Sequence, residues 1–281
     1  MWLEPQHLEK IITGETGLDL EAGTGTDTEG QRWYLLRPRG LPNDYTFAIR
    51  TTLGWRRLRI DFEPGKFAGE LLTDMGHADE TGRAAFRAVL TDCRNLGAQI
   101  DLQINGNPHR FDGEDLWAHS WKRLTLSINK GQLELGAEDG EPDADIICRW
   151  TGRLAAAIVS ILPLEEDSEA AEPDVAGYPE GALTTVKANR YERDRRNRAA
   201  AISIHGSSCL GCGIDMGTRY GEVAEGFIEI HHVTPVSQLG VGHVIDPTRD
   251  LVPLCPNCHA VTHRRTPPLS LEEIRRLLRQ S

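Results

Sequence analysis

Residues 226–237 read Gly-Phe-Ile-Glu-Ile-His-His-Val-Thr-Pro-Val-Ser, and residues 250–259 read Asp-Leu-Val-Pro-Leu-Cys-Pro-Asn-Cys-His. The first stretch opens as an apolar-alternating segment, which predicts a strand ending in His231 and His232. The second runs a strand into a Cys-x-x-Cys knuckle. His259 and His263 follow four residues apart, so a helix sets both imidazoles on one face. A histidine pair at that spacing is ordinarily just solvated surface. His231, His232, His259 and His263 lie within 33 residues and bracket a knuckle, which points instead to a shared site.

Outward from this stretch, Cys209-Leu-Gly-Cys212 repeats the spacing of Cys255-Pro-Asn-Cys258. Each knuckle presents two thiolates from one tight turn, and four thiolates make a closed, structural zinc site. Merely packed, reduced cysteines would not need the repeated spacing. Cys93 and Cys148 stand alone and read as core thiols. Six cysteines in 281 residues, behind a start that lacks an export pattern, do not read as a disulfide framework. Metal in a reducing cytoplasm is the expectation.

These motifs resemble the HNH nuclease ββα-metal motif: a strand bearing His-His, a strand entering Cys-Pro-x-Cys-His, then a helix with a second His. The resemblance extends upstream through Asn189-Arg-Tyr-Glu-Arg193 and His205-Gly206, and covers residues 187 to 279. Within that group the chain looks most like McrA-type, modification-dependent (type IV) restriction endonucleases, which couple an N-terminal reader of modified DNA to this nuclease. The resemblance implies that His232 is the general base and that His231, His259 and His263 hold one catalytic divalent ion, Mg²⁺, Mn²⁺ or similar. It also implies that Cys209, Cys212, Cys255 and Cys258 hold structural Zn²⁺ without touching substrate. The middle Asn of the motif is replaced by Asp250, which can accept a hydrogen bond from the second ring nitrogen of His232.

Residues 164–182 carry seven acids, no base, two prolines and two glycines, a composition that builds no core and reads as an acidic flexible linker. It divides the chain into 1–163 and 183–281. The net charge of −11 splits into −7 for residues 1–163, −7 for the linker and +3 for 183–281. The global sign therefore says little about a local face. No run of 18 apolar residues exists, which excludes a transmembrane helix.

The N-terminal part predicts an α+β domain. Strands are expected at 31–37, 45–52, 55–62, 99–104, 123–128 and 132–135, with Thr52-Leu-Gly54 as a tight turn. Helices are expected at 78–96 and 146–162. Residues 31–60 hold seven arginines and one acid, interleaved with aromatics. A hairpin with aromatics inward and solvated arginines is the plain account. A DNA-binding face is the functional one, with Arg32, Trp33, Tyr45, Arg50, Trp55, Arg56, Arg57 and Arg59 as contacts. Arg193 and Arg196, on an expected helix before the first knuckle, are further candidates.

The expected whole is an α+β protein: a DNA-recognition domain over 1–163, the linker, and a zinc-stabilised HNH endonuclease domain over 183–281. Its expected partner is double-stranded DNA carrying methylated or hydroxymethylated cytosine, cut by a homodimer in the cytoplasm, with no membrane involved. Alternatives are an HNH nuclease of a toxin or mobile element without modification preference, or a zinc-stabilised DNA-binding module with a decayed nuclease site.

Overall fold

Alternation in Arg57-Leu-Arg-Ile-Asp-Phe62 sends Leu58, Ile60 and Phe62 to one side and the charged residues to the other. That pattern recurs across a seven-stranded antiparallel sheet in this computed structural model, which describes residues 3–136, 142–163, 195–234, 244–265 and 267–279. The strands are β1 (Leu20–Thr26), β2 (Arg32–Pro38), β3 (Phe47–Gly54), β4 (Arg57–Pro64), β5 (Gln99–Ile104), β6 (Asn107–Pro108) and β7 (Leu124–Lys130). Their spatial order is β1-β2-β3-β4-β7-β5-β6. The linker 164–182, the 183 boundary and Arg193 lie outside the described residues.

Two strand expectations are corrected. The β3–β4 turn is not Thr52-Leu-Gly54: Leu53 and Gly54 stay paired with Leu58 and Arg57, so Trp55 and Arg56 form the tip. Arg56 takes φ 55, a left-handed conformation uncommon for a non-glycine residue, so the sequence does not announce the turn. Residues 132–135 are not a strand. Gln132 turns the chain at φ 58, and the Leu133 N–H donates to the Arg56 carbonyl.

One sheet face is covered by α1 (Pro5–Thr16), α3 (Glu80–Asn95) and α4 (Asp143–Ile161), with the short α2 (Gly69–Gly76) leading into α3. Every residue of α4 from Trp150 to Ile161 is buried. Such a helix needs cover on all sides. The sheet, α1 and α3 supply part of it, and α5 (Arg195–His205) covers a further side: Ala199 and Ala200 join the large core. Thus α5, which lies beyond the linker in sequence, is packed on the N-terminal part.

The same helix carries Ile202 into a second, smaller core with Cys209, Ile228, Leu254, Cys255, Cys258 and Ile274. That core belongs to α6 (Met216–Tyr220), the hairpin β8 (Glu229–His232) and β9 (Leu251–Leu254), α7 (Pro256–Thr262) and α8 (Leu271–Arg279). Polar ties line the seam. Arg196 reaches Asp79 at 3.1 Å and the Leu162 carbonyl at 3.0 Å, and Lys10 reaches Glu225 at 3.0 Å. Exposed ion pairs contribute about 0–1 kcal/mol each. Apolar burial, about 0.8 kcal/mol per CH₂, therefore dominates the docking of α5.

Candidate metal centre and nuclease site

The antiparallel register of β8 and β9 sets His231 opposite Val252 and His232 opposite Leu251. Pairing continues past the strand end, where the Val233 N–H donates to the Asp250 carbonyl at 2.8 Å. Arg198 of α5 donates to the Ile228 carbonyl at 2.8 Å, anchoring the entry to β8. Cys255 caps α7 with Pro256 in the first turn, where its fixed φ suits a helix start. Hairpin and helix together make a ββα unit.

Strand alternation puts Glu229 and His231 on one side of β8, facing α7. There His231, His259 and His263 converge, with ring centroids 4.9–5.3 Å apart and rings near perpendicular. Each offers a ring nitrogen within 4.8 Å of the others. The helix stops at Thr262, but His263 in the cap position still meets His259. His231 is 6% exposed, and burial followed by its histidine neighbours lowers its pKa to about 4. Burial and then His259 lower that of His263. Neutral imidazoles crowded in this way could hold a divalent metal ion.

Glu229, to which the sequence assigned no role, lies 2.5 Å from His259 Nδ1. A carboxylate only accepts, so Nδ1 donates and Nε2 keeps its lone pair for a metal. The signal was legible in retrospect, because Glu229 stands two residues before His231 on the same strand face. Asp250 accepts the Asp246 N–H at 2.9 Å through Oδ2, closing the turn that leads into β9. His205 of α5 touches the same turn, its Nε2 3.0 Å from the Pro247 carbonyl. His232, half-buried at the strand end, lies next to this turn.

The four knuckle cysteines form a second cluster, with ligand atoms within 4.8 Å of one another. All four are unoxidised. The Leu210 N–H donates to the Pro253 carbonyl at 2.9 Å and ties the first knuckle to β9. A Cβ on Gly211 would come within 3.1 Å of Cys258 Sγ and 3.2 Å of Ile274, so a side chain there would press on the knuckle. Burial opposes ionisation of Cys209, yet backbone N–H groups of Cys212, Cys255 and Gly211 outweigh it and bring the thiol to about 7. Burial, then the Cys209 charge, pushes Cys258 up. Four thiolates at one point need a cation, and the set is arranged for zinc.

Nine of the residues expected on DNA are described, and they separate in space. Trp33, Arg50, Arg57 and Arg59 share the sheet face turned away from the helices, with Trp55 at its hairpin tip. Arg50 lies 4.6 Å above the Trp33 ring and pairs with Glu63 at 2.6 Å; Arg59 pairs with Asp61 at 2.9 Å. A Cβ on Gly25 would strike the Trp33 ring, which explains the glycine in β1. Arg56 sits in the tip itself. Arg32 falls on the opposite face, where it hydrogen-bonds Tyr34. Tyr45 stands at the far end of β3 against Phe67. Arg196 lies in the α5 seam, where it donates to Asp79 and to the Leu162 carbonyl.

Residues 209–265 match the HNH endonuclease family. This part of the chain is an HNH endonuclease domain. Both knuckles, all four histidines and Asp250 fall inside it. The chain is also similar to the type IV methyl-directed restriction enzyme EcoKMcrA of Escherichia coli strain K12, at 34% identity over 89 residues. That match spans 30% of this chain and 30% of the E. coli protein. No solved structure matches the chain. Among the described residues, no helix is long and apolar enough to cross a membrane.

Proposed function

We propose that the protein is a modification-dependent DNA endonuclease, with 1–163 selecting the target and the HNH domain hydrolysing a phosphodiester bond. The convergence of His231, His259 and His263 beside His232 in a ββα unit carries this reading. His231, His259 and His263 would hold one divalent ion, Mg²⁺, Mn²⁺ or similar. When bound, that ion supplies positive charge to the scissile phosphate and the leaving 3′ oxygen. His232 takes the proton from the attacking water, and Glu229 orients His259. Cys209, Cys212, Cys255 and Cys258 hold zinc and brace hairpin against helix.

The similarity to a methyl-directed enzyme supports methylated or hydroxymethylated cytosine as the selected mark. The sheet face bearing Trp33, Arg50, Arg57 and Arg59 is the surface offered to DNA. One metal and one base cut one strand per visit, so a double-strand break calls for a symmetric pair of chains acting in the cytoplasm.

Incubation with Mg²⁺ or Mn²⁺ and plasmids of differing cytosine methylation tests the proposal. Selective cutting of methylated plasmid is expected, with His232→Ala lowering the rate by about 10²–10⁴. Equal cutting would make the protein a nuclease without modification preference. No cutting would leave a DNA-binding module.

A further inference from the structure

The β3–β4 hairpin ends in Trp55, which is 88% exposed. Isolated apolar residues on a surface are common and call for no explanation. Trp55 differs because its tip is held in place. The Arg56 carbonyl accepts the Leu133 N–H at 3.1 Å, and Arg56 Nε donates to the Leu133 carbonyl at 3.3 Å. Arg56 is kept at φ 55 in the process, a conformation that persists only where its surroundings impose it. A large aromatic ring is thus presented to solvent on a braced, slightly strained turn.

Beside the tip the outer sheet face forms an open trough of about 770 Å³, within the size range of small-ligand sites. Gln31 and Asn129 line it with amides, Arg57 with a cation, Arg59 and Asp61 as an ion pair, and Glu63 with a second carboxylate. Amides can pair with the hydrogen-bonding edge of a base, guanidiniums with phosphates, and carboxylates with the amino group of cytosine. An apolar ligand would find little here, and a simple anion would meet Asp61.

We propose that Trp55 stacks on a nucleobase displaced from a DNA duplex and that the adjoining trough receives that base. This rests on the reading of the N-terminal part as the unit that contacts DNA, and specifies how it does so. Stacking is indifferent to base identity, so Trp55 supplies affinity while Gln31, Asn129 and Asp61 discriminate. The braced tip lowers the ordering cost of binding.

The test uses the full chain carrying His232→Ala, without added divalent metal, and two duplexes. In one, 5-methylcytosine is paired with guanine; in the other it faces an abasic position. Extrusion is easier for an unpaired base, so the second duplex is expected to bind several-fold tighter. Adding Trp55→Ala should weaken binding to both by about ten- to hundredfold, while Trp55→Phe keeps most of the affinity. Tryptophan fluorescence should fall on binding in the parent and change less in Trp55→Phe. Equal binding by the parent and Trp55→Ala, or indifference to the abasic position, overturns the proposal while leaving the endonuclease reading intact. If the parent binds neither duplex, the DNA-contacting role of the N-terminal part fails as well.

Discussion

His259 shows how one contact sets the chemistry of a ring. With Nδ1 donating to Glu229, the imidazole is held in one tautomer and one orientation. Glu229→Gln preserves shape but can present its amide either way, so the tautomer is no longer imposed. Divalent-ion affinity, measured by titration calorimetry, is expected to fall about 10–100-fold in that variant, with the fold unchanged. Unaltered affinity would mean that the contact is incidental. Asp250, by contrast, spends one carboxylate oxygen on the Asp246 N–H, a bond that an Asn side-chain oxygen can also accept. The replacement of the family's usual Asn is therefore compatible with the local geometry.

At the scale of elements, the two knuckles connect β9, α7 and the turn after α5 around a core of few apolar residues. A core that small would gain much of its stability from a metal held by the four cysteines, since binding energy in such sites is folding energy. Cys255→Ala should release the zinc and lower the unfolding temperature of the C-terminal part, read by metal analysis and calorimetry. Full zinc content in that variant would contradict the assignment. The α1–α4–α5 junction holds a different device. Glu15 of α1 sits over Gly152 of α4, and burial, against Arg198 and Arg153, raises its pKa from 4.5 to about 7. Between those values the folded chain holds a proton that the unfolded chain has lost, so stability falls as pH rises from about 4.5 to about 7. Glu15→Gln should flatten the dependence of melting temperature on pH across that window.

For the whole molecule, α5 belongs to two cores at once, joining α4 through Ala199 and Ala200 and the nuclease through Ile202. A fragment ending at residue 163 would expose the side of α4 that α5 covers. Such a fragment is expected to be less soluble and less stable than the full chain, so fragments cut at the linker would understate what the N-terminal part does. The comparison is by denaturant titration, with added residues 195–205 expected to bind the fragment. Full stability without them would show that α5 is dispensable to the large core. With the C-terminal part packed on the helical side, the opposite sheet face is uncovered among the described residues.

The nuclease motif was legible because its chemistry is local: thiolate pairs come from single turns, and the His259–His263 spacing is helical. Alternation likewise revealed β2, β3, β4, β5 and β7, and apolar spacing at the helical period revealed α3. It missed β1, whose Gly23 and Gly25 carry no strand signal, since Gly25 makes room for the Trp33 ring. It also passed over α1, although Pro5 at its start and the left-handed Gly17 at its end bracket it. Long-range proximity was beyond one-dimensional reading. That Glu229 would meet His259 thirty residues on, that Leu133 would brace Arg56, and that Arg196 would turn to Asp79 are consequences of packing. The sequence alone determined which donor atoms were available and their local spacing, because backbone geometry imposes that spacing. Only the tertiary structure decided which of them meet, because the burial of α4 required α5 and drew the two cores together.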